Sequence, residues 1–270
     1  MNQLVGEKLS IITSKIQTTR HRILGILNGN DFQIIYSDTP GIIENPSYEL
    51  HKVMNSYVKT ALEDADILLY VAETDDELSE EINERIRRSN TPLIIAINKI
   101  DLSNQEKIEA EIEKYQSIFP EADVVPISAL HAFNIEKLFD IILNKIPASP
   151  PYYPKDQMTD KTMRFFVSEI IREKILENYQ KEIPYSVQID VESYKESENL
   201  ISISATIYVV RNTQKAIIIG HQGKAIKNIG IKARKDIEEF TGKKIYLELF
   251  VKVAKDWREN QTKLKSFGYE

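Results

Sequence analysis

The sequence predicts a two-part chain: an α/β domain with a mostly parallel sheet, then a smaller α+β domain with helices on one face of three strands. Three observations predict it. Up to about Lys145, short β-rich apolar runs alternate with amphipathic stretches, as strands joined by helices do. Pro147, Pro150, Pro151 and Pro154 then fall within eight residues, which no helix or central strand tolerates, so this segment reads as a stiff spacer. Beyond it come a helix, two strands, a glycine-punctuated turn, a helix and a strand.

In order, the first part places strands at Ile23–Leu27, Phe32–Tyr36, Ile67–Ala72, Leu93–Ile97 and Val124–Ile127. Amphipathic stretches lie at Tyr48–Asp64, Glu77–Arg88, Gln105–Ile118 and Ile135–Lys145. Asn28-Gly29-Asn30-Asp31 between the first two strands is a hairpin signal, so one sheet edge is expected to be antiparallel. The second part gives a helix over about Lys161–Gln180, strands at Ser186–Val191 and Ile201–Val209, a helix over about Lys224–Phe240 and a strand at Ile245–Val253. The expected division is 1–146, a linker over 147–157, and 158–270.

Composition bounds the function. The 270 residues are 42% hydrophobic and 28% charged, as in ordinary globular proteins, and include no cysteine, which excludes disulfides and cysteine metal sites. No apolar run nears the roughly 20 residues of a membrane span. Met1-Asn2-Gln3-Leu4-Val5 lacks the basic head of a secretory signal, so the cytoplasm is the expected compartment. The net charge of −6 is unevenly spread. Between Arg211 and Arg258 twelve Lys and Arg face five Asp and Glu, a balance of +7, which leaves −13 elsewhere. A basic binding patch on an acidic carrier has this signature, as does a Lys-rich solvated face.

Five motifs carry chemistry. Asp38-Thr39-Pro40-Gly41 follows a predicted strand: a carboxylate there can hold Mg²⁺ through water, and the glycine lets a backbone N–H approach a terminal phosphate. Asn98-Lys99-Ile100-Asp101 follows another strand. The Asp101 carboxylate can accept both N1–H and the exocyclic amine of guanine, a donor pair that adenine lacks. Asn98 can bond the base edge or brace neighbouring loops, and the Lys99 stem can cover the base. Ser128-Ala129-Leu130 follows a third strand, at the sheet end where α/β proteins bind ligands, with a backbone N–H for the guanine oxygen. Upstream, Gln17-Thr18-Thr19-Arg20-His21 can offer a hydroxyl to Mg²⁺ only when the terminal phosphate is present, which makes it a switch. Thr19 is the favoured ligand, ahead of Thr18. In the second part, Gly220-His221-Gln222-Gly223 is a G-x-x-G turn before the helix at Lys224. Its two glycines admit a nucleic-acid backbone, and the helix N-terminus, with Lys224 and Lys227, points positive charge at a phosphate. The four histidines are scattered, and Trp257 is expected to close the small core rather than stack a base.

With these residues in place the chain resembles the Era family of translation-associated GTPases. The likeness begins in Val5-Gly6-Glu7-Lys8-Leu9-Ser10-Ile11-Ile12-Thr13-Ser14 through Gln17-Thr18-Thr19-Arg20-His21-Arg22, passes through the motifs above, and reaches the C-terminus. The resemblance implies a Ras-like P-loop GTPase domain followed by a KH domain of the prokaryotic type. It implies that GTP or GDP is held at Asp38, Thr39, Pro40, Gly41, Ile42, Asn98, Lys99, Asp101, Ser128, Ala129 and Leu130. Thr19 and Asp38 are then the Mg²⁺ ligands, and Thr19, Asp38 and Gly41 the catalytic set. Ile42 stands where many small GTPases place a water-orienting glutamine, so turnover is expected to be slow, and related enzymes of this kind sometimes use K⁺. Single-stranded RNA, specifically the 3′ end of 16S ribosomal RNA, is expected at Gly220, His221, Gln222, Gly223, Lys224 and Lys227. The implied role is in 30S subunit assembly, as a cytoplasmic monomer that can lie peripherally on the inner face of the membrane.

The departure is at the front. A P-loop (G-x-x-x-x-G-K-[ST]) is expected before the switch and no such run occurs in the sequence; Met1–Val5 reads as the remains of the helix that follows it. The strand and loop would add about twenty residues. As written the chain is expected to bind nucleotide poorly, and an upstream start is preferred to an evolved loss. The competing expectation is an RNA-binding module whose nucleotide domain serves only as a scaffold.

Overall fold

The computed structural model describes residues 1–75 and 80–269. In chain order the elements are α1 (Asn2–Val5), β1 (Ile23–Asn28), β2 (Gln33–Asp38), α2 (Glu49–Asp64), β3 (Leu68–Glu73), α3 (Glu80–Ser89), β4 (Leu93–Asn98), α4 (Gln105–Ile118), β5 (Asp123–Pro126) and α5 (Ile135–Lys145). They continue as α6 (Met163–Asn178), α7 (Ile183–Ser186), β6 (Gln188–Glu196), β7 (Leu200–Val209), α8 (Asn212–Ile219), α9 (Lys224–Thr241), β8 (Lys244–Val253) and α10 (Gln261–Ser266). The chain forms two compact units. One comprises Met1–Glu7, Ile26–Tyr36 and Lys59–Met158; the other comprises Lys8–Gly25, Ser37–Val58 and Thr159–Glu270.

In the first unit β3, β4 and β5 form a parallel sheet in that order, with Tyr70 opposite Ile95 and Ile95 opposite Val124. Leu93 through Ile97 are all buried, because a central parallel strand is covered on both faces. Its odd positions pack with Tyr115 and Phe119 of the α4 region, and Ile94 and Ala96 pack with Leu138 and Ile142 of α5. The expected antiparallel edge takes another form. β1 and β2 make a separate two-stranded sheet, closed by Gly29 N–H to Phe32 O at 2.9 Å. Ile34, Phe32 and Tyr36 join the same core as Ile94 and Val125, so β2 is attached by side-chain packing. The start of the helix expected from Glu77 lies outside the described residues; α3 runs from Glu80.

In the second unit β6 pairs antiparallel with β7, and β7 parallel with β8. Ile201, Ile203, Ala205, Ile207 and Val209 alternate inward along β7 and meet Val167, Ile171 and Ile175 of α6 and Ile229, Ala233 and Ile237 of α9. Two local elements differ from the sequence pattern. Ile217-Ile218-Ile219 ends a helix, α8, for which no element was expected; the Gln214 side-chain oxygen Oε1 caps its start by accepting from Val210 N (3.0 Å) and Arg211 N (3.1 Å). Ser186 closes the helical turn α7, with its hydroxyl on Glu182 O at 2.7 Å, and the strand starts at Gln188.

Contacts do not divide the chain at the proline-rich segment. Leu50 and Met54 share a core with Trp257, Leu264 and Tyr269. Arg20, 1% exposed, donates to Val187 O (2.8 Å) and Pro184 O (3.0 Å). A fragment from about Tyr152 onward would leave this apolar surface and these carbonyls uncovered, so it is not expected to fold as well as the whole chain. Among the described residues no helix is long and apolar enough to cross a membrane.

Candidate functional site

Within the first unit, the loops after β4 and β5 are locked together. Lys99 takes a left-handed conformation (φ 61°) that turns the chain out of β4 into one 3-10 turn, Ile100–Leu102. Ile127 N–H donates to Ile97 O at 2.7 Å, and Ile100 N–H to Ile127 O at 3.3 Å. The Asn98 side-chain oxygen accepts from Ala129 N–H at 3.0 Å. Of the two roles open to Asn98, bracing the loops is therefore the one it performs here, and it occupies the Ala129 N–H. The Ser128 hydroxyl donates to Asp101 Oδ1 at 2.5 Å. That bond is the main reason the Asp101 carboxyl lies below the usual carboxylate range; His131 and Lys99 add attraction and partial burial opposes it. Asp101 is thus fixed and ionised, an acceptor with lone pairs to spare. The Lys99 ammonium pairs with Glu73, and Leu130 is exposed.

Within the second unit, Asp38 ends β2 and receives the Ser10 hydroxyl on Oδ2 at 2.5 Å. A carboxylate beside one hydroxyl is oxygen chemistry that suits a hard cation taking most of its shell from water and phosphate, and among the described residues no group of three or more His, Cys, Asp or Glu could hold a metal ion. Gly41 is exposed, with open space where a Cβ would stand. Just beyond, Asn55 clasps Ile43 through both backbone groups, at 3.0 and 2.8 Å. Thr18 turns its hydroxyl into its own loop, onto Lys15 O (2.6 Å) and Thr13 Oγ1 (2.7 Å). Thr19 beside it is half-buried.

The same unit carries the G-x-x-G turn. Gly220, Gln222 and Gly223 have φ of 69°, 50° and 73°. A Cβ on Gly220 would stand 2.5 Å from Ala225 Cβ, whereas Gly223 has open space. Gly220 is therefore required for close approach as well as conformation. His221, Gln222, Lys224 and Lys227 are exposed around the start of α9. Trp257 is fully buried and donates to Ser186 O at 3.1 Å, so it closes the core as expected.

The protein-family description "50S ribosome-binding GTPase" matches residues 1–99, and "KH domain" matches residues 182–258. The crystal structure of an Era variant from Aquifex aeolicus bound to GDP and tetrafluoroaluminate matches with TM-score 0.94 and 37% identity, over 99% of this chain and 93% of that one. A structure of Era with MgGDPNP and nucleotides 1506–1542 of 16S ribosomal RNA matches with TM-score 0.93 and 37% identity, over 99% and 92%. The chain belongs to the Era family. Its Era-type architecture, an α/β nucleotide-domain fold followed by a KH domain, is the one that the motifs predicted.

Sequence reasoning gave no role to Ser10, which lies in the stretch that opens the family likeness and reaches Asp38. It also missed Arg172 and Glu173, which contact the segment around Thr18 from α6. The available signal was four charged residues (Glu169, Arg172, Glu173, Lys174) interleaved with Ile170, Ile171 and Ile175. All seven are buried.

Proposed function

We propose that this Era-family chain is a GTP-binding and GTP-hydrolysing switch that binds the 3′ end of 16S ribosomal RNA and assists assembly of the small ribosomal subunit. The observation that carries the reading is the Asp101 carboxylate, ionised and fixed by Ser128 at the meeting of two loops. Nucleotide functions are assigned to 1–146 and RNA functions to 158–270, with 147–157 as the linker. The reading places the protein in the cytoplasm, where a chain without cysteine loses nothing to reducing conditions. Peripheral contact with the inner membrane face belongs to the same reading.

In this reading Asp101 accepts the two N–H groups of guanine, Lys99 covers the base, and Asn98, Ser128, Ala129 and Leu130 hold the loop that reads its oxygen. Asp38 and Thr19 would hold Mg²⁺, which when bound neutralises charge on the phosphates. Thr39, Pro40, Gly41 and Ile42 form the backbone that senses the terminal phosphate, and Gly41 leaves its N–H accessible. Ile42 cannot orient water by hydrogen bonding, so hydrolysis is slow. Gly220, His221, Gln222 and Gly223 admit the RNA backbone, and Lys224 and Lys227 contact phosphates.

Titration of a form of the chain that carries a P-loop upstream, with GDP, ADP and xanthosine diphosphate, tests the base-reading core. Two bonds to a charged acceptor, at about 1.5–3 kcal/mol each, give Asp101 roughly a hundredfold or more in guanine preference. Asp101→Asn should lose it and gain relative affinity for xanthosine. An unchanged GDP-over-ADP ratio in that variant would remove Asp101 from the role.

A further inference from the structure

We propose that Arg172 and Glu173 of α6 are positioning residues for the switch segment, fixing Thr19 from the RNA-binding side of the chain. The inference rests on the reading of Thr19 as the nucleotide-sensing residue. The Arg172 guanidinium donates to Thr18 O at 2.5 Å, while its Nε donates to Glu169 Oε1 at 2.8 Å. Arg172 and Glu169 are both buried, at 1% and 7% exposure, so the fork is held rigidly away from water. The Thr18 carbonyl and the Thr19 N–H belong to one planar peptide, so gripping the oxygen sets the direction in which Thr19 leaves it. On the far side, the next residue is pinned by the two bonds from the Arg20 side chain to Val187 O and Pro184 O. Thr19 is therefore bracketed between two anchors.

Glu173 holds the front of the same segment, accepting Ile12 N–H on Oε1 and Lys8 Nζ on Oε2, both at 3.0 Å. Its neighbour Lys174 bridges Glu173 Oε2 at 3.3 Å and Asp236 of α9 at 2.6 Å, and Lys232 of α9 bonds Asn178 of α6 at 2.6 Å. α9 begins at the G-x-x-G turn. One helix thus joins the RNA-contacting turn to the switch backbone through adjacent side chains. Ordering of α9 by RNA would reach Thr19 through this contact, a physical route for coupling between the two functions.

The test is hydrogen–deuterium exchange of the full chain, reading peptides that span residues 11–20. Arg172→Ala should raise exchange there tenfold or more and leave α9 and β7 unchanged. Arg172→Lys should recover part of the protection, because one ammonium can still reach the Thr18 carbonyl. Adding a short single-stranded RNA with the 3′-terminal sequence of 16S ribosomal RNA should slow exchange over 11–20 at least twofold in the parent. In Arg172→Ala that slowing should vanish while RNA affinity stays within twofold. Unchanged exchange over 11–20, a rise spread equally through α9 and β7, or RNA protection that survives the substitution would each overturn the proposal. If Arg172→Ala does not fold, Glu173→Gln takes its place. It keeps an acceptor for Ile12 N–H, loses the charge that pairs with Lys8 and Lys174, and should raise exchange over residues 8–14; no rise would overturn the proposal. Failure of the parent to bind the RNA would count against the proposed RNA function, and the exchange arm without RNA would still decide the positioning role.

Discussion

Lowering the pH should loosen the second unit through His21 before its carboxylates titrate. His21 is buried, stacked on Tyr269 with centroids 4.2 Å apart and edge-on to Phe165 at 5.4 Å. Burial lowers its pKa from 6.5 to about 4; Glu169 pulls it up, while Arg172, Lys161 and Arg20 push it down. The sign follows from linkage. Above 6.5 the imidazole is neutral in both states and costs nothing. As pH falls, the unfolded chain takes up the proton first, and stability is lost until about 4, where the folded state also protonates. The full loss is roughly 3 kcal/mol at 1.36 kcal/mol per pKa unit, and about 2 kcal/mol of it falls between pH 7 and 5. Glu169 is also held below its usual range, but its loss begins only below 4.5, outside this window. Asp190, raised by burial, acts in the opposite sense, because as pH falls its folded form takes up the proton before the unfolded form does. Trp257 is the chain's one tryptophan and shares a core with Tyr269, so its fluorescence reports this unit. Urea unfolding followed by Trp257 should give a parent that loses about 2 kcal/mol between pH 7 and 5, and a His21→Phe variant that loses far less. Parallel losses in the two proteins would refute the reasoning.

Other outcomes follow from the same geometry. Gly220→Ala should cost more stability than Gly223→Ala, since both strain a positive φ by roughly 1–3 kcal/mol and only the first meets Ala225; equal Trp257 unfolding midpoints would contradict this. A fragment of residues 152–270 should unfold at lower urea than the whole chain, because Leu50, Met54 and Arg20 are missing from its core; an equal midpoint would show that those contacts contribute nothing. In a form of the chain that carries a P-loop upstream, Asp38→Ala should abolish Mg²⁺-dependent GTP turnover, and normal phosphate release would place the metal elsewhere.

What was legible in the sequence was whatever repeats with a regular period or sits at a fixed offset from a strand. The β4 run Leu93–Ile97 could be read because a doubly covered strand is apolar throughout, and Asn98 and Asp101 then fell at its end. The G-x-x-G turn was legible because only glycine tolerates φ of 69° with a neighbour so close. α8 was hidden, since three consecutive isoleucines favour a strand and a Gln214 cap plus burial of Ile218 overrides them. The anchoring of residues 8–25 and 37–58 beside α6 and Trp257 was hidden too. Contacts such as Arg172 to Thr18 span 154 positions and leave no local pattern.

Binding of single-stranded RNA by the full chain tests the central claim most directly. A short oligonucleotide with the 3′-terminal sequence of 16S ribosomal RNA should bind at least tenfold more tightly than a duplex of the same sequence. Replacing the exposed pair by His221→Asp and Gln222→Asp should abolish binding, because two carboxylates would face phosphates while both glycines remain. Lys224→Ala or Lys227→Ala should instead weaken binding to all sequences alike and reduce the salt slope by about one. Equal affinity for duplex and single strand, or a double-Asp variant that binds like the parent, would contradict the account.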